Sequence, residues 1–281
     1  LKFDTQFGVY AYCHGPSNIS QFKLHSSNFM KIATWNVNGI RARQTQVLEW
    51  IWRDRPDVIC LQELKAAREQ VPEALLGMAE YWGCWHGERA YSGVALLIRR
   101  DLIAGQPRFE HPEFDFETRI VMAHIENILV GSVYVPNGGK DFAAKMQFLN
   151  AMERYAADCR SQGMELVFCG DMNVTRTDQD VHPKERKPNI IGQRPDERER
   201  FERVLSSGGL IDVGRALDPD NDRLFTWWPP WRGMRQKNIG WRLDYVLASE
   251  SVAPRITQCS VLAEFGTSDH APVVAEVLST S

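Results

Sequence analysis

The run LVFCGDMN, residues 166–173, sets the form on which this chain is built: an apolar, β-prone stretch that breaks at Gly170 into a short polar turn. The form recurs in both directions. Upstream lie KIATWNV (31–37), DVICLQ (57–62), GVALLIRR (93–100), RIVMAHI (119–125) and ILVGSVYVP (128–136), and downstream LDYVLAS (243–249) and PVVAEVL (272–278). Many of these runs are apolar enough to be buried. Helices are fewer. Residues 140–161 place Phe142, Met146, Leu149 and Met152 on one face, and 195–207 open with Pro195 and close before Gly208 and Gly209. Val47, Leu48, Ile51 and Trp52 predict a third helix over 44–55. So large an excess of strands predicts two packed sheets flanked by helices rather than a doubly wound nucleotide fold. Neither a GxGxxG nor a Walker lysine loop is present.

The length of 281 residues suits one large domain or two small ones. Residues 1–29 carry no helical or strand period and lack the order of a secretory signal. They read as an extension ahead of the domain, with Met30 the expected original start. No apolar run reaches the roughly 18 residues of a membrane span, so a cytoplasmic protein is expected, nucleoid-associated if bacterial. The six cysteines form no CxxC pair and read as reduced thiols, although an even count also permits disulfides.

A formal net charge of −3 argues against a nucleic-acid partner, yet it says little about any one face. Basic residues gather at Lys184, Arg186, Lys187 and Arg194, and again at Arg232, Arg235, Lys237 and Arg242. Taken alone, either cluster is a solvated surface.

Polar groups stand where the β-like runs end, which is where loops carry function. WNVNG (35–39) offers Asn36 and Asn38, and Glu63 follows the second run. YVPNGG (134–139) offers Tyr134 and Asn137, and GDMN places Asp171 and Asn173 two apart, on one side of an extended segment. Asp244 lies in LDYV, and SDHAP (268–272) sets Asp269 beside His270. Each piece has a plainer explanation: Asn38-Gly39 is a common turn, Asp171 and Asn173 could brace a loop, and His270 and Tyr134 could simply pack. The combination favours chemistry.

With WNVNG, LQE, YVPNGG, GDMN, RLDYVLAS and SDHAP in order, the chain resembles the exonuclease III and apurinic/apyrimidinic (AP) endonuclease family, within the endonuclease/exonuclease/phosphatase superfamily. The resemblance covers residues 30–281 as a single domain. It implies a four-layered αββα sandwich of two packed mixed β-sheets flanked by helices, with the active site at one end of the sheets. It also implies a metal site of Glu63 with Asn36, Asn38 and Asp269 nearby. That oxygen-only set suits Mg²⁺, with Mn²⁺ able to substitute. Some members carry aspartate where this chain has Asn38, and the neutral amide would weaken the site or move it.

By the same resemblance Asp171 would orient or deprotonate the attacking water, with Asn173 holding the geometry. His270 would contact the scissile phosphate, and Asp244 would fix its tautomer and favour its protonated form. Tyr134 would donate to the phosphate, and Asn137 would support its loop. Water, Tyr134 and the metal all stay open for the leaving oxygen.

The substrate reading rests on FTWWPPWRGMRQKNIGWRLDY (225–245), where aromatics are interleaved with Arg232, Arg235, Lys237 and Arg242. The basic groups suit phosphates, while Trp227, Trp241 and Leu243 look like the family's pocket for a flipped-out, base-free sugar. A Trp-rich core hairpin is the plainer alternative. Asn189, in NIIG ahead of PDER, aligns only approximately with an asparagine of relatives.

The implied activity is metal-dependent cleavage of the DNA backbone 5′ to an abasic site, leaving a 3′ hydroxyl. Exonuclease or 3′-phosphodiesterase action could accompany it, and the partner would be duplex DNA with abasic sites or blocked 3′ ends, met by a monomer without a membrane. Alternatives are a predominant 3′–5′ exonuclease, a superfamily phosphatase or phospholipase on inositol or lipid phosphates, and a binding protein that kept only the fold.

Overall fold

A computed structural model describes residues 29–279. The expected extension lies outside them except for Phe29, which with Met30 begins the first strand. In chain order the elements are β1 (Phe29–Asn36), α1 (Ile40–Asp54), β2 (Val58–Gln62), α2 (Glu73–Leu76), β3 (Tyr81–Glu88), β4 (Tyr91–Arg99), β5 (Phe109–Glu110), β6 (Ile120–Ile125) and β7 (Ile128–Tyr134). There follow α3 (Phe142–Ser161), β8 (Glu165–Asp171), α4 (Pro195–Gly208), β9 (Leu210–Asp212), α5 (Val213–Leu217), β10 (Asp244–Ser249), β11 (Ile256–Val261) and β12 (Val273–Leu278).

Two six-stranded sheets result, ordered β11-β12-β1-β2-β4-β3 and β5-β6-β7-β8-β10-β9. Both are mixed: β1 runs parallel to β2 and β7 parallel to β8, while the other pairings are antiparallel. Strand alternation builds the layers, because successive side chains face opposite ways. In β8, Val167 and Cys169 join Ile32, Cys60, Leu96 and Val130 between the sheets. Leu166 and Phe168 instead meet Phe148 and Met152 of α3 and Phe201 of α4. On the outer face of the first sheet, Ala33, Trp35 and Ile59 pack against Val47, Trp50 and Ile51 of α1. These three cores make the αββα order that the family resemblance implies.

The expected runs fall within two residues of the strand bounds, and α1 begins at Ile40, four residues ahead of its expected 44–55 span. Polar or glycine-broken β3 and β11, together with the very short β5 and β9, form without a sequence signal and are held by pairing to a neighbour. The five described cysteines are unpaired thiols. Among the described residues no helix is long and apolar enough to cross a membrane.

Register positions the site. Across the second sheet Asp171 lies opposite both Tyr134 and Asp244, and Asn36 pairs with Gln62 in the first. Gly170, at φ +152°, makes this row possible: a Cβ there would lie 1.8 Å from the Val133 carbonyl oxygen.

Candidate active site

Six loops at one end of the paired sheets bring the expected polar residues together. Asp171 is buried and accepts from Asn36 Nδ2 at 2.9 Å, from the Asn173 amide at 2.9 Å and from Asn173 Nδ2 at 3.2 Å. Asn173 sits in the left-handed region at φ 51° and also donates to the Val135 carbonyl. Asn137 Nδ2 donates to Asn173 Oδ1 at 3.1 Å, which ties the YVPNGG loop to the GDMN turn.

His270 Nδ1 lies 2.8 Å from Asp244 Oδ2, which also accepts from the Thr226 hydroxyl. Burial opposes the charged imidazolium, but the carboxylates of Asp244, Asp171 and Asp269 overcome it and raise the pKa to about 10. Protonated His270 therefore donates through Nδ1 to Asp244. Its Nε2 stands 3.8 Å from Asp171 Oδ2, beyond hydrogen-bond reach, which leaves that N–H free to turn to another acceptor. Burial pushes Asp171 up to about 7, reinforced by the charges of Asp244 and Glu63 and opposed by that of His270.

Beside this cluster Tyr134 donates its hydroxyl to Glu63 Oε1 at 2.7 Å. Burial and the charges of Glu63 and Asp171 hold the phenol well above its ordinary pKa, so it is a donor at neutral pH. Burial works to raise Glu63, yet hydrogen bonds from Lys65 and Tyr134 keep it below the usual carboxylate value. Lys65 Nζ reaches Glu63 Oε2 at 2.9 Å and Asn38 Oδ1 at 2.6 Å, so two oxygens from different loops converge on one positive charge. Asn38 and Glu63 both have positive φ, a backbone state that non-glycine residues adopt at a cost and that clusters at functional sites. Asn38 Nδ2 donates to Asp269 Oδ1, and Trp227 Nε1 donates to Asp269 Oδ2. Asn36 Oδ1 accepts from the Asn38 amide. Of the four residues expected around a metal, Glu63 and Asn38 thus offer oxygens to a shared cation, while Asn36 and Asp269 brace their neighbours. The donors are all oxygen and the cation they hold is a half-exposed lysine, so a hard divalent ion fits this place.

The aromatic residues also meet. Trp227 and Trp241 pack edge to face with centroids 5.2 Å apart, Val181 and Leu243 join them, and Trp227 stands 6.5 Å from the His270 ring. Gly192, three residues after the exposed and left-handed Asn189, approaches Trp241 so closely that a Cβ would lie 2.8 Å from its ring.

The basic residues of the 225–245 segment divide. Arg232 and Lys237 are exposed. Arg235 instead gives its guanidinium to the carbonyls of Ala263, Phe265, Gly266 and Ser268, closing one wall of a cleft of about 410 Å³ that reaches Asn38. Arg242, grouped with them in the sequence, is buried and bonded to Asp180 and Asp212, so it is not a surface contact for phosphate. This corrects the expectation, and the reason is that the chain turns into the interior from Ile239 onward, ahead of β10.

Sequence reasoning missed several supports. Lys145 of α3 is fully buried, donates to the Asn173 carbonyl at 2.8 Å and is paired with Glu197. Glu197 also accepts from the amides of Gly192 and Arg194, joining the Asn173 turn to the segment beside Trp241. Trp35 Nε1 holds the His270 carbonyl, and Ser268 Oγ donates to the Asn36 carbonyl. Only Glu197 had a local signal, as a third-position acid in a helix opening with Pro195.

A two-sheet sandwich with an Asp–His–Asp cluster beside an oxygen-lined cation place is the arrangement of a phosphoester hydrolase. The chain belongs to the Endonuclease/Exonuclease/phosphatase family, whose profile matches residues 33–270. It is 33% identical over 249 residues to an exodeoxyribonuclease of Bacillus subtilis (strain 168), covering 87% of this chain and 98% of that one. It is 33% identical over 256 residues to the DNA repair nuclease APEX1 of Danio rerio, covering 87% and 81%. Among solved structures, an AP endonuclease from Archaeoglobus fulgidus superposes with a TM-score of 0.77 at 32% identity, over 89% of this chain and all (100%) of that one.

Proposed function

We propose that this protein is a DNA repair nuclease that hydrolyses the backbone 5′ to an abasic sugar, leaving a 3′ hydroxyl, and that it works as a monomer on duplex DNA. The observation that carries this reading is the placement of Asp171 and protonated His270 beside the Trp227–Trp241–Leu243 wall. Acid, base and an apolar surface lie within one short span. The names of the similar proteins, a DNA repair nuclease, an exodeoxyribonuclease and an AP endonuclease, agree with it.

The chemistry follows from the groups present. Asp171, held by Asn36 and Asn173, takes the proton of the attacking water, and its raised pKa matches that task near neutrality. His270 turns its Nε2–H to a phosphoryl oxygen as negative charge grows there, while Asp244 keeps the ring aligned. Tyr134 adds a second neutral donor. Mg²⁺ or Mn²⁺ held by Glu63 and Asn38 would supply Lewis-acid stabilisation of phosphate charge. The aromatic wall admits a sugar that has lost its base, and its bulk disfavours one that has not. Such a wall is foreign to a small, highly charged inositol phosphate, which argues against the phosphatase alternative.

The test is cleavage of a labelled duplex bearing one abasic-site analogue, beside an intact duplex and a recessed 3′ end, in Mg²⁺ and in EDTA. A single metal-dependent cut on the 5′ side of the lesion is expected. Progressive loss from the recessed end with no cut at the lesion would make the enzyme chiefly an exonuclease and defeat the abasic reading.

A further inference from the structure

A second group of metal-ligating side chains lies apart from the site described above, where the edges of the two sheets meet. His86 comes from β3, the edge strand of the first sheet. His111 and Asp115 come from the connection between β5 and β6 at the corresponding edge of the second. One ligand atom from each of the three falls within 4.8 Å of the others. The His86 and His111 rings are 3.9 Å apart and tilted by 35°, and His86 Nε2 contacts Asp115 Oδ2 at 2.6 Å.

The surrounding backbone orients two of the ligands. Asp115 Oδ1 accepts from the amides of Arg119 and Ile120, at 2.8 and 3.1 Å, which aims Oδ2 at His86. His111 Nδ1 stands 3.1 Å from the Ile120 carbonyl. A carbonyl can only accept, so Nδ1 carries the proton and Nε2 holds the lone pair, the arrangement that commonly sets a ligating histidine. The turn that follows Asp115 is bent through consecutive left-handed residues, Glu117 and Thr118, and bound to β4 by the Ser92 hydroxyl on the Glu117 carbonyl. Exposure of 24% for His86 and 10% for Asp115, with His111 exposed, leaves an entry path and room for water as further ligand.

We propose that His86, His111 and Asp115 bind one divalent transition-metal ion, Zn²⁺ by preference, and that this ion fastens the two sheets together at their shared edge. Two imidazoles and one carboxylate select zinc and its neighbours over Mg²⁺, in contrast to the oxygen-only donors at Glu63. Tetrahedral Zn–N and Zn–O bonds of about 2.0–2.1 Å set ligand atoms roughly 3.3 Å apart, so the His86–Asp115 contact opens by less than an ångström and releases its shared proton to solvent. The fastened loop ends at Arg119, whose guanidinium lies 4.8 Å from the Tyr134 ring and whose carbonyl accepts from the Tyr134 amide. The ion would therefore steady the strand that carries Tyr134 without touching the reacting groups.

The experiment is calorimetric titration of the full chain with Zn²⁺ in excess Mg²⁺, on the unaltered protein and on His111→Ala, His86→Gln and Glu63→Ala, with melting curves alongside. One Zn²⁺ site is expected in the unaltered protein and in Glu63→Ala, with a rise in Tm on binding. In His111→Ala the affinity should fall by at least about 100-fold, with loss of the Tm rise. His111 is exposed, so that variant keeps its fold. Equal Zn²⁺ affinity in His111→Ala and the unaltered protein would overturn the proposal, as would loss of the site in Glu63→Ala or no Zn²⁺ binding at all.

Discussion

Arg242 and Asp244 lie two residues apart at the start of β10, and each anchors a buried ionic cluster, but the clusters are built differently. Around Arg242 the charges balance: its guanidinium grips Asp212 through two nitrogens and Asp180 through the third, and Arg215 completes Asp180. Charge attraction outweighs burial there, and Asp180 is held below its ordinary pKa. Around Asp244 the carboxylates of Asp171, Asp269 and Glu63 outnumber the cations, which are His270 and the half-exposed Lys65. Asp171 is pushed up rather than down, and Asp244 Oδ1 has no hydrogen-bond partner. A closed network holds loops together, whereas an open one leaves charge and hydrogen-bonding capacity unsatisfied, and that is the capacity the proposed reaction would draw on.

Altering each cluster in turn separates stability from turnover. Asp171→Asn or His270→Asn should lower kcat by about 10²–10⁴-fold. DNA affinity should change little, and for Asp171→Asn the Tm should stay level or rise. Normal turnover in either variant would remove these residues from the chemistry. Arg242→Met should act in the opposite sense, destabilising the fold by about 3–5 kcal/mol because it strands two buried carboxylates. An unchanged denaturation midpoint would show that the network is not structural.

Acid titration sharpens the same contrast. Asp180 has a depressed folded pKa, so its stabilisation is present above the unfolded value of about 3.9 and is lost as pH falls through the folded one. Asp171 has a raised folded pKa, so between about 3.9 and 7 the folded state holds a proton that the unfolded chain releases, and stability falls as pH rises. Asp171→Asn should flatten that neutral-range decline in a plot of unfolding free energy against pH, and Asp180→Asn should flatten the acid limb. The smallest effects belong to the surface. Lys237→Ala and Arg232→Ala should each reduce the slope of log binding constant against log salt by about one. Arg235→Ala should instead lower the Tm, since its guanidinium holds four carbonyls of the 263–268 loop.

The two clusters also show how far the residues could be read in order. Asp171, Asn173, Asp244 and His270 stand in short motifs at strand ends, where a polar residue after an apolar run is conspicuous. Arg242 stands in a string of arginines and aromatics, and nothing local separates it from Arg232. Lys145 reads as one polar residue on an amphipathic helix, although it is buried against Asn173 and Glu197. His86, His111 and Asp115 sit in segments without strong periodicity, so their meeting was invisible.

By itself the sequence determined two sheets with flanking helices, the main strands and the polar loops at their ends, because apolar periodicity and strand-end polarity are local properties written residue by residue. Tertiary structure alone decided which charges are neutralised: that Arg242 closes a network inside, that Arg235 clamps a loop, that Lys65 joins Glu63 to Asn38, and that Asp171 is pushed up to about 7. Burial and the distance to a counter-charge set those outcomes, and both arise only when segments far apart in the chain are packed together.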